Sequence, residues 1–286
     1  MEASPSSSNH SVTDAEIIAA MEAVRAAHPI PGYVKPDHHL GGSFDTIKLV
    51  LRNVPRGGKI LDFGAGGADK TATLARLGYE MYAFDDLCDP WHLSNDNWKK
   101  IIAFAESFGV KYHRAVQGEP LPYPPDSFDM VILDNVMEHL HDSPKGLLEL
   151  LRSLVKPGGV LFISVPNAAN LRKRLALLRG RTNMPRFDYF YWKDGPWRGH
   201  VREYVRDDME KLARYLNLTP VELGGFHSLI GTIPLKYRRP WRALTAIFPN
   251  WSDSWKLVGR KEPGSAPLPE PPDENNIRSI LQFYEG

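Results

Sequence analysis

The sequence holds one cysteine in 286 residues, Cys88, so no internal disulfide can form. No apolar run reaches the roughly 18 residues that a membrane-spanning helix requires, which leaves peripheral contact as the form of membrane association still open. No N-terminal run joins a basic start to an apolar segment, so secretion is not expected and the cytosol is the expected compartment. An excess of charge is missing as well. Lys and Arg number 35 against 34 Asp and Glu, a net charge of +1, so no global field draws the chain to nucleic acid. No internal repeat is visible. What remains is a globular composition, 42% hydrophobic, long enough for a sizeable core in one large domain or two small ones.

The chain is organised around Ile60-Leu61-Asp62-Phe63-Gly64-Ala65-Gly66-Gly67-Ala68-Asp69-Lys70-Thr71. An apolar run that ends in an acid and breaks into glycines reads as the first strand, turn and helix start of a ligand-binding α/β domain. In a dinucleotide fingerprint of the form G-x-G-x-x-G the third glycine would fall at position 69, which is Asp69, an acid that repels a pyrophosphate. A cofactor with a cationic centre and an adenosine tolerates it better. Met1 to Ser11 are polar and Ser-rich, a disordered tail over 1–11. Thr13 and Glu16 form a capping box for a helix to Ala27 with Ile17, Ala20, Met21 and Val24 on its apolar face, and a second helix runs from Phe44 to Arg52. Together they make an N-terminal helical cap over 12–57. His38 and His39, between these helices, could bind metal or substrate, although exposed loop histidines usually do neither.

Past the glycines, Thr71 to Leu77 is helical and Glu80 to Phe84 is the second strand, ending at Asp85-Asp86. An acid about 20 residues beyond the turn, at a strand's carboxyl end, is placed for the ribose hydroxyls of an adenosine. A helix is expected over Trp91 to Phe108, a third strand over Lys111 to Val116 and a fourth over Met130 to Leu133, followed by the polar set Asp134, Asn135, Glu138 and His139. Ser143 caps a helix with Leu147, Leu148, Leu151 and Leu154 toward the sheet, Lys156-Pro157-Gly158-Gly159 stops it, and Val160 to Val165 is the fifth strand.

The block from Gln117 to Leu140, which contains Gly118-Glu119-Pro120-Leu121-Pro122, Phe128-Asp129-Met130-Val131 and Glu138-His139, resembles the "D-A-E-x-L-P-F … F-D-x-V … E-H" landmark of class I S-adenosylmethionine (SAM) dependent methyltransferases. The glycine turn resembles that superfamily's motif I, and the resemblance runs from about Lys59 to Asn167. It implies a Rossmann-like seven-stranded, mostly parallel sheet flanked by helices, over 58–261, with SAM bound by Asp62, Gly64, Gly66, Asp85, Asp86, Gln117, Gly118 and Asp134. Gln117 stands where the family has an acid for the adenine amino group, and its amide oxygen can accept the same hydrogen bond.

Residues 167–199 leave the minimal pattern and read as a lid inserted after strand five. They carry the basic run Asn170 to Arg181 and the aromatics Phe187, Tyr189, Phe190, Tyr191, Trp192 and Trp197, rings able to stack on sugars or to pack as a small core. Gly199-His200-Val201-Arg202-Glu203-Tyr204 resembles an element of sugar and polysaccharide-cluster methyltransferases. The expectation is therefore an O-methyltransferase for a sugar, polysaccharide or glycoside hydroxyl. A quinone, lipid or RNA terminus is the alternative acceptor, and a non-catalytic SAM-binding scaffold the alternative of another class. His139 is the leading general base, His200 the second and His141 the third. Glu138, His139 and His200 also match metal ligands of some O-methyltransferases, including quinone-biosynthesis enzymes, and would hold Mg²⁺, Mn²⁺ or Zn²⁺; Asn135 replaces that pattern's first acid. Val221 to Leu223 and Trp255 to Gly259 read as antiparallel final strands, and Lys236 to Phe248 as a basic amphipathic helix for solvent, a membrane surface or a second subunit. The expected partners are a small-molecule or oligosaccharide substrate and a second copy, with nucleic acid disfavoured. Residues 262–286 form a Pro-rich tail in which Ile277 to Tyr284 suggest a short docking helix.

Overall fold

The structure, a computed structural model, describes residues 12–36, 41–116, 119–227, 230–264 and 268. The expected tail over 1–11, His38, His39, Gln117, Gly118 and the helix over Ile277 to Tyr284 lie outside the described residues. Seven strands form one sheet in the order β3-β2-β1-β4-β5-β7-β6. β1 (Lys59–Phe63), β2 (Glu80–Asp85), β3 (Lys111–Arg114), β4 (Phe128–Asp134) and β5 (Val155–Pro166) are mutually parallel.

Because successive side chains of a strand point to opposite faces, each central strand feeds two cores. Ile60, Met130, Ile132, Val160 and Phe162 pack on one face, against α1 (Asp14–Ala27), α2 (Gly42–Asn53), α3 (Asp69–Arg76) and α5 (Asn97–Ser107). Leu61, Val131, Leu133, Leu161 and Ile163 pack on the other, against α6 (Lys145–Leu154) and α9 (Arg206–Tyr215). Strands covered on both faces have no polar positions to alternate, which is why they read as unbroken apolar runs. The Thr13 and Glu16 box caps α1, with Thr13 N donating to Glu16 Oε2 at 2.7 Å and Glu16 N donating to Thr13 Oγ1 at 3.3 Å.

Four local expectations change. The helix expected over Trp91 to Phe108 is two, α4 (Pro90–Leu93) and α5, because Asn95 and Asp96 both take φ 53° and break the helix between them. Ser143 is not the cap residue of α6. Pro144 is, and the serine hydroxyl only accepts a long 3.4 Å bond from Lys145 N. Lys156 to Gly159 sit inside β5, at the register shift between the Phe128–Val155 and Met130–Val160 pairs. Of the final strands only β7 (Ser254–Arg260) runs against the sheet. β6 (Thr219–Phe226) pairs antiparallel with β7 and so shares the direction of β5.

Residues 167–199 form an excursion with a closed neck. Asn167 and Tyr204 pair as an isolated bridge, Tyr204 N donates to Pro166 O, and the buried Asn167 amide donates to Asn250 O and Ser252 O. Between these points lie α7 (Leu171–Leu178) and α8 (Phe187–Tyr191). The remaining helix, α10 (Leu235–Ile247), buries Arg238 and Thr245 and pairs Arg242 with Asp45 at 3.0 Å, so it rests on the domain through polar residues. No helix among the described residues is long and apolar enough to cross a membrane.

The strands are tied at their centre by charge. Lys70 of α3 lies 2.9 Å from Asp134 Oδ2 at the end of β4 and 3.5 Å from Asp62 Oδ1 in β1. Thr71 donates to Asp62 at 2.6 Å, Thr46 of α2 donates to Asp134 at 3.2 Å, and Ser164 of β5 donates to Asp134 as well. Burial pushes the Asp62 carboxyl above its ordinary value against the pull of Lys70. For Asp134, burial pushes up too, but Lys70 and the three hydrogen bonds outweigh it and hold the carboxyl below its ordinary value. Lys70→Met would leave two buried carboxylates with no cation and should cost about 3–5 kcal/mol in urea unfolding at pH 8. Asp62 is already raised in the wild type, and without Lys70 both Asp62 and Asp134 bind a proton more tightly in the folded state than they do beside it. The variant then gains more stability than the wild type as pH falls, while the wild type loses the contribution of Asp134 below about pH 4. The difference between the two should therefore narrow toward acid.

Candidate functional site

The order of strands reverses between β1 and β4, and in open α/β sheets a crevice at the carboxyl ends of the strands beside that point holds ligand. A cavity of about 590 Å³ opens there. Phe63, Gly64 and Gly66 line it after β1, Phe84, Asp85 and Asp86 after β2, Ala115 after β3, and Asn135, Val136, His139 and His141 after β4. Trp197 and Arg198 of the excursion reach its rim, and Tyr33 and Trp91 close one side.

The glycine turn is shaped by its neighbours. Gly64 has φ +80° and its N–H donates to Phe84 O at 2.7 Å, while a Cβ added there would meet Val136 Cγ2 at 2.2 Å. Gly67 lies under Tyr33, whose hydroxyl accepts from Gly67 N at 3.2 Å and whose ring would clash with a Cβ at 2.4 Å. The Tyr33 ring stacks on His28 at 4.8 Å and on Trp91 at 5.0 Å.

Asp85 receives Gly66 N and Leu87 N, one on each oxygen, both at 2.8 Å. A carboxylate oxygen accepts two bonds, so each keeps one acceptor position for a ribose hydroxyl. Burial raises its carboxyl despite those amides. Asp86 is held by the Arg198 guanidinium at 3.1 Å, and Arg198 also pairs with Asp89. The glycine-rich turn, the acid with spare acceptor positions and the size of the cavity fit the methionine and adenosine ends of SAM. Asp62 and Asp134 do not line the cavity; they are the carboxylates locked by Lys70.

The imidazoles converge because backbone brings them together. Val201 N donates to Glu138 O at 2.7 Å, which pins the 199–204 segment onto the short turn Met137–His139 and puts the His200 ring 5.0 Å from that of His139. His139 Nδ1 lies 2.9 Å from Arg198 O, and a carbonyl can only accept, so Nδ1 carries the proton and Nε2 keeps a free lone pair. His200 Nδ1 lies 2.8 Å from Glu203 Oε1, with the same consequence for its Nε2. His141 Nε2 meets Trp197 O at 2.8 Å and so keeps that nitrogen as a donor. Glu138 is 1% exposed and its Oε2 has no hydrogen-bond partner among the described residues. Burial pushes its carboxyl up to about 8, and burial together with His139 and Lys173 pushes His200 down to about 4.

Ligand atoms of Glu138, His139 and His200 lie within 4.8 Å of one another. An orphaned buried carboxylate oxygen beside two imidazoles of fixed tautomer fits a divalent cation, and the His200–Glu203 bond is of the kind that orients metal-bound histidines. Two nitrogens and one oxygen suit Mn²⁺ or Zn²⁺ better than Mg²⁺, which takes oxygen ligands. Lys70, Tyr33 and Arg198 escaped the sequence reading. Lys70 had a cue, a cation one turn after the buried acid. Tyr33 and Arg198 had none, since each reaches the site from a distant loop.

The methyltransferase domain family matches residues 38–223. Ubiquinone biosynthesis O-methyltransferases are among the similar curated proteins. That of Colwellia psychrerythraea is 29% identical over 120 residues, covering 42% of this chain and 46% of its own length. That of an Escherichia coli strain is 31% identical over 173 residues, covering 58% of this chain and 67% of its own. The chain thus spans from about half to two thirds of the length of these relatives. Among solved structures, a complex of the Haloferax volcanii Trm112 methyltransferase activator with a putative methyltransferase superposes with TM-score 0.52 at 15% identity, covering 90% of this chain and 100% of that one. A SAM-dependent methyltransferase from Mesorhizobium loti gives 0.51 at 17%, covering 77% and 98%. At these identities the two structures speak for the fold alone.

Gly64→Ala adds a clash to a left-handed backbone, whereas Gly109→Ala, at φ +81° with nothing within 4 Å of its added Cβ, tests the backbone strain alone. Chemical unfolding should show a loss of roughly 1–2 kcal/mol for Gly109→Ala and about 3 kcal/mol or more for Gly64→Ala. Equal losses would mean that Val136 moves aside freely.

Proposed function

Since this chain belongs to the methyltransferase domain family, with residues 38–223 matched, we propose that it methylates a hydroxyl group of a small-molecule acceptor, using SAM. SAM would supply an electrophilic methyl on a sulfonium: the acceptor oxygen bonds to the methyl carbon as the carbon–sulfur bond breaks in line, and the thioether S-adenosylhomocysteine leaves with the electron pair. The cofactor is held by the Gly64 to Gly67 backbone and by the spare acceptor positions of Asp85, with Tyr33 and Trp91 closing over it. Gln117 and Gly118 take the adenine edge in this reading. The protein's part is then to align the acceptor and to take its proton.

His139 is the group for that proton. It lies at the cavity rim, and the Arg198 carbonyl fixes Nδ1 as donor, so that Nε2 is the base. That single observation carries the reading against a non-catalytic SAM-binding scaffold, which has no use for an oriented imidazole at the cofactor's edge. A second reading is favoured by the partnerless Glu138 Oε2: Glu138, His139 and His200 hold a divalent cation, which lowers the pKa of an acceptor hydroxyl.

For the acceptor, a hydroxyl on an aromatic ring is favoured by the ubiquinone-biosynthesis relatives and by the aromatic lining of Phe63, Phe84, Trp91 and Trp197. A sugar hydroxyl, the acceptor expected from residues 199–204, draws support from the exposed rings Tyr189, Tyr191 and Trp192, which suit the apolar faces of sugars.

Calorimetry should give SAM a roughly micromolar Kd, and the absence of binding would sink the whole reading. With catechols and partly methylated sugars offered side by side, His139→Ala should lower kcat about 10²–10⁴-fold on the accepted class. The two roles of His139 separate on His200→Ala. If His139 is a base alone, transfer survives that change and is indifferent to a chelator. If the three residues hold a cation, His200→Ala loses transfer, and titration of the apo-protein with Mn²⁺ or Zn²⁺ shows one site in the wild type and none in the variant.

A further inference from the structure

We propose that the excursion between Asn167 and Tyr204 is a contact surface for an anionic lipid bilayer. Neither α7 nor α8 has a buried residue. Leu178 is 83% exposed, Trp192 79% and Phe187 69%, and Leu175, Leu177, Met184, Tyr189, Phe190 and Tyr191 are exposed beside them. Single exposed apolar residues need no explanation, but this many in one stretch of 18 residues mark a binding surface. In α7 the apolar side chains Leu171, Leu175 and Leu178 follow one another at helical spacing and form a stripe along one face.

Charge complementarity selects the occupant. Between residues 171 and 194 there are seven Lys and Arg against two Asp, whereas the whole chain has 35 against 34. Arg179, Arg181 and Lys193 have no carboxylate partner among the described residues, and Arg174 bonds only the Ala169 carbonyl. A second copy of the chain would bring this excess onto itself and be repelled. Nucleic acid would use the cations and the rings but gives Leu175, Leu177, Leu178 and Met184 nothing to contact. An anionic membrane uses all three: acyl chains for the aliphatic residues, the headgroup zone for Trp and Tyr, and lipid phosphates for the cations.

The surface is continuous with the cavity. The Phe190 ring packs edge-on against Trp197 at 5.2 Å, and Trp197 lines the cavity rim. If the proposed methyl transfer holds, a bilayer-dissolved acceptor would thus meet the site at the membrane surface. The bilayer contact itself stands without that reading.

Flotation of the full chain with vesicles tests it. The protein should float with vesicles of phosphatidylglycerol and phosphatidylcholine, stay behind with phosphatidylcholine alone, and be released by salt. Leu178→Glu with Trp192→Glu should lower partitioning about tenfold or more, and Arg179→Gln with Arg181→Gln and Lys193→Gln should remove most of the salt-sensitive part. SAM affinity by calorimetry should be unchanged in both variants, which separates a lost surface from a lost fold and from failure of the methyltransferase reading. The proposal is overturned by no flotation with anionic vesicles at low salt, by undiminished flotation of the Glu variant, or by a wild-type dimer that the Glu substitutions dissociate. RNA binding that anionic vesicles fail to compete overturns it as well.

Discussion

Lys70 is the constraint on which the centre of the molecule depends. A parallel sheet covered on both faces has no solvent with which to satisfy charge, yet β1 and β4 each carry a carboxylate beside the crevice. One ammonium from α3, helped by hydroxyls of Thr46, Thr71 and Ser164, compensates both. Two helices and three strands thereby meet in a single polar knot inside an apolar core. The knot sets where the glycine turn leaves β1 and where β4 ends, and these two positions define the cavity.

The fold was legible in the sequence wherever burial dictates residue type. The central parallel strands β1, β4 and β5 carry apolar runs, whereas the edge strand β3, Lys111–Arg114, is polar and has no buried residue, and the apolar faces of α1 and α6 are the ones that their periodicity marks. Legibility failed where a pattern admits two backbones. Asn95 and Asp96 adopt left-handed φ that helical periodicity does not register, and the direction of β6 is decided by its pairing with β7 rather than by its own residues. Asp62 and Asp134 read as ligand-facing because acids at strand ends often are. Their position beside Lys70 is a matter of three dimensions.

The candidate site divides along the same line. The glycines and Asp85 lie within one strand-turn-helix-strand unit, so local spacing is enough to single them out as candidates. His139 and His200 are 61 positions apart and meet because hydrogen bonds such as Val201 N to Glu138 O and His139 Nδ1 to Arg198 O join their segments. Family resemblance suggested their association, while the tautomers, fixed by the Arg198 carbonyl and the Glu203 carboxylate, needed coordinates.

The closed neck at Asn167 and Tyr204 bears on how such a protein can change. A loop whose ends are already pinned side by side gains length at little thermodynamic cost, about 0.6 kcal/mol for each doubling. The two ends are tied into the domain: Asn167 holds Asn250 and Ser252, Arg172 pairs with the buried Asp253, and the Arg198 carbonyl meets His139 Nδ1. What lies between Arg174 and Trp197 is therefore an exchangeable cassette, which can be rewritten while both ends and the floor beneath them stay as they are.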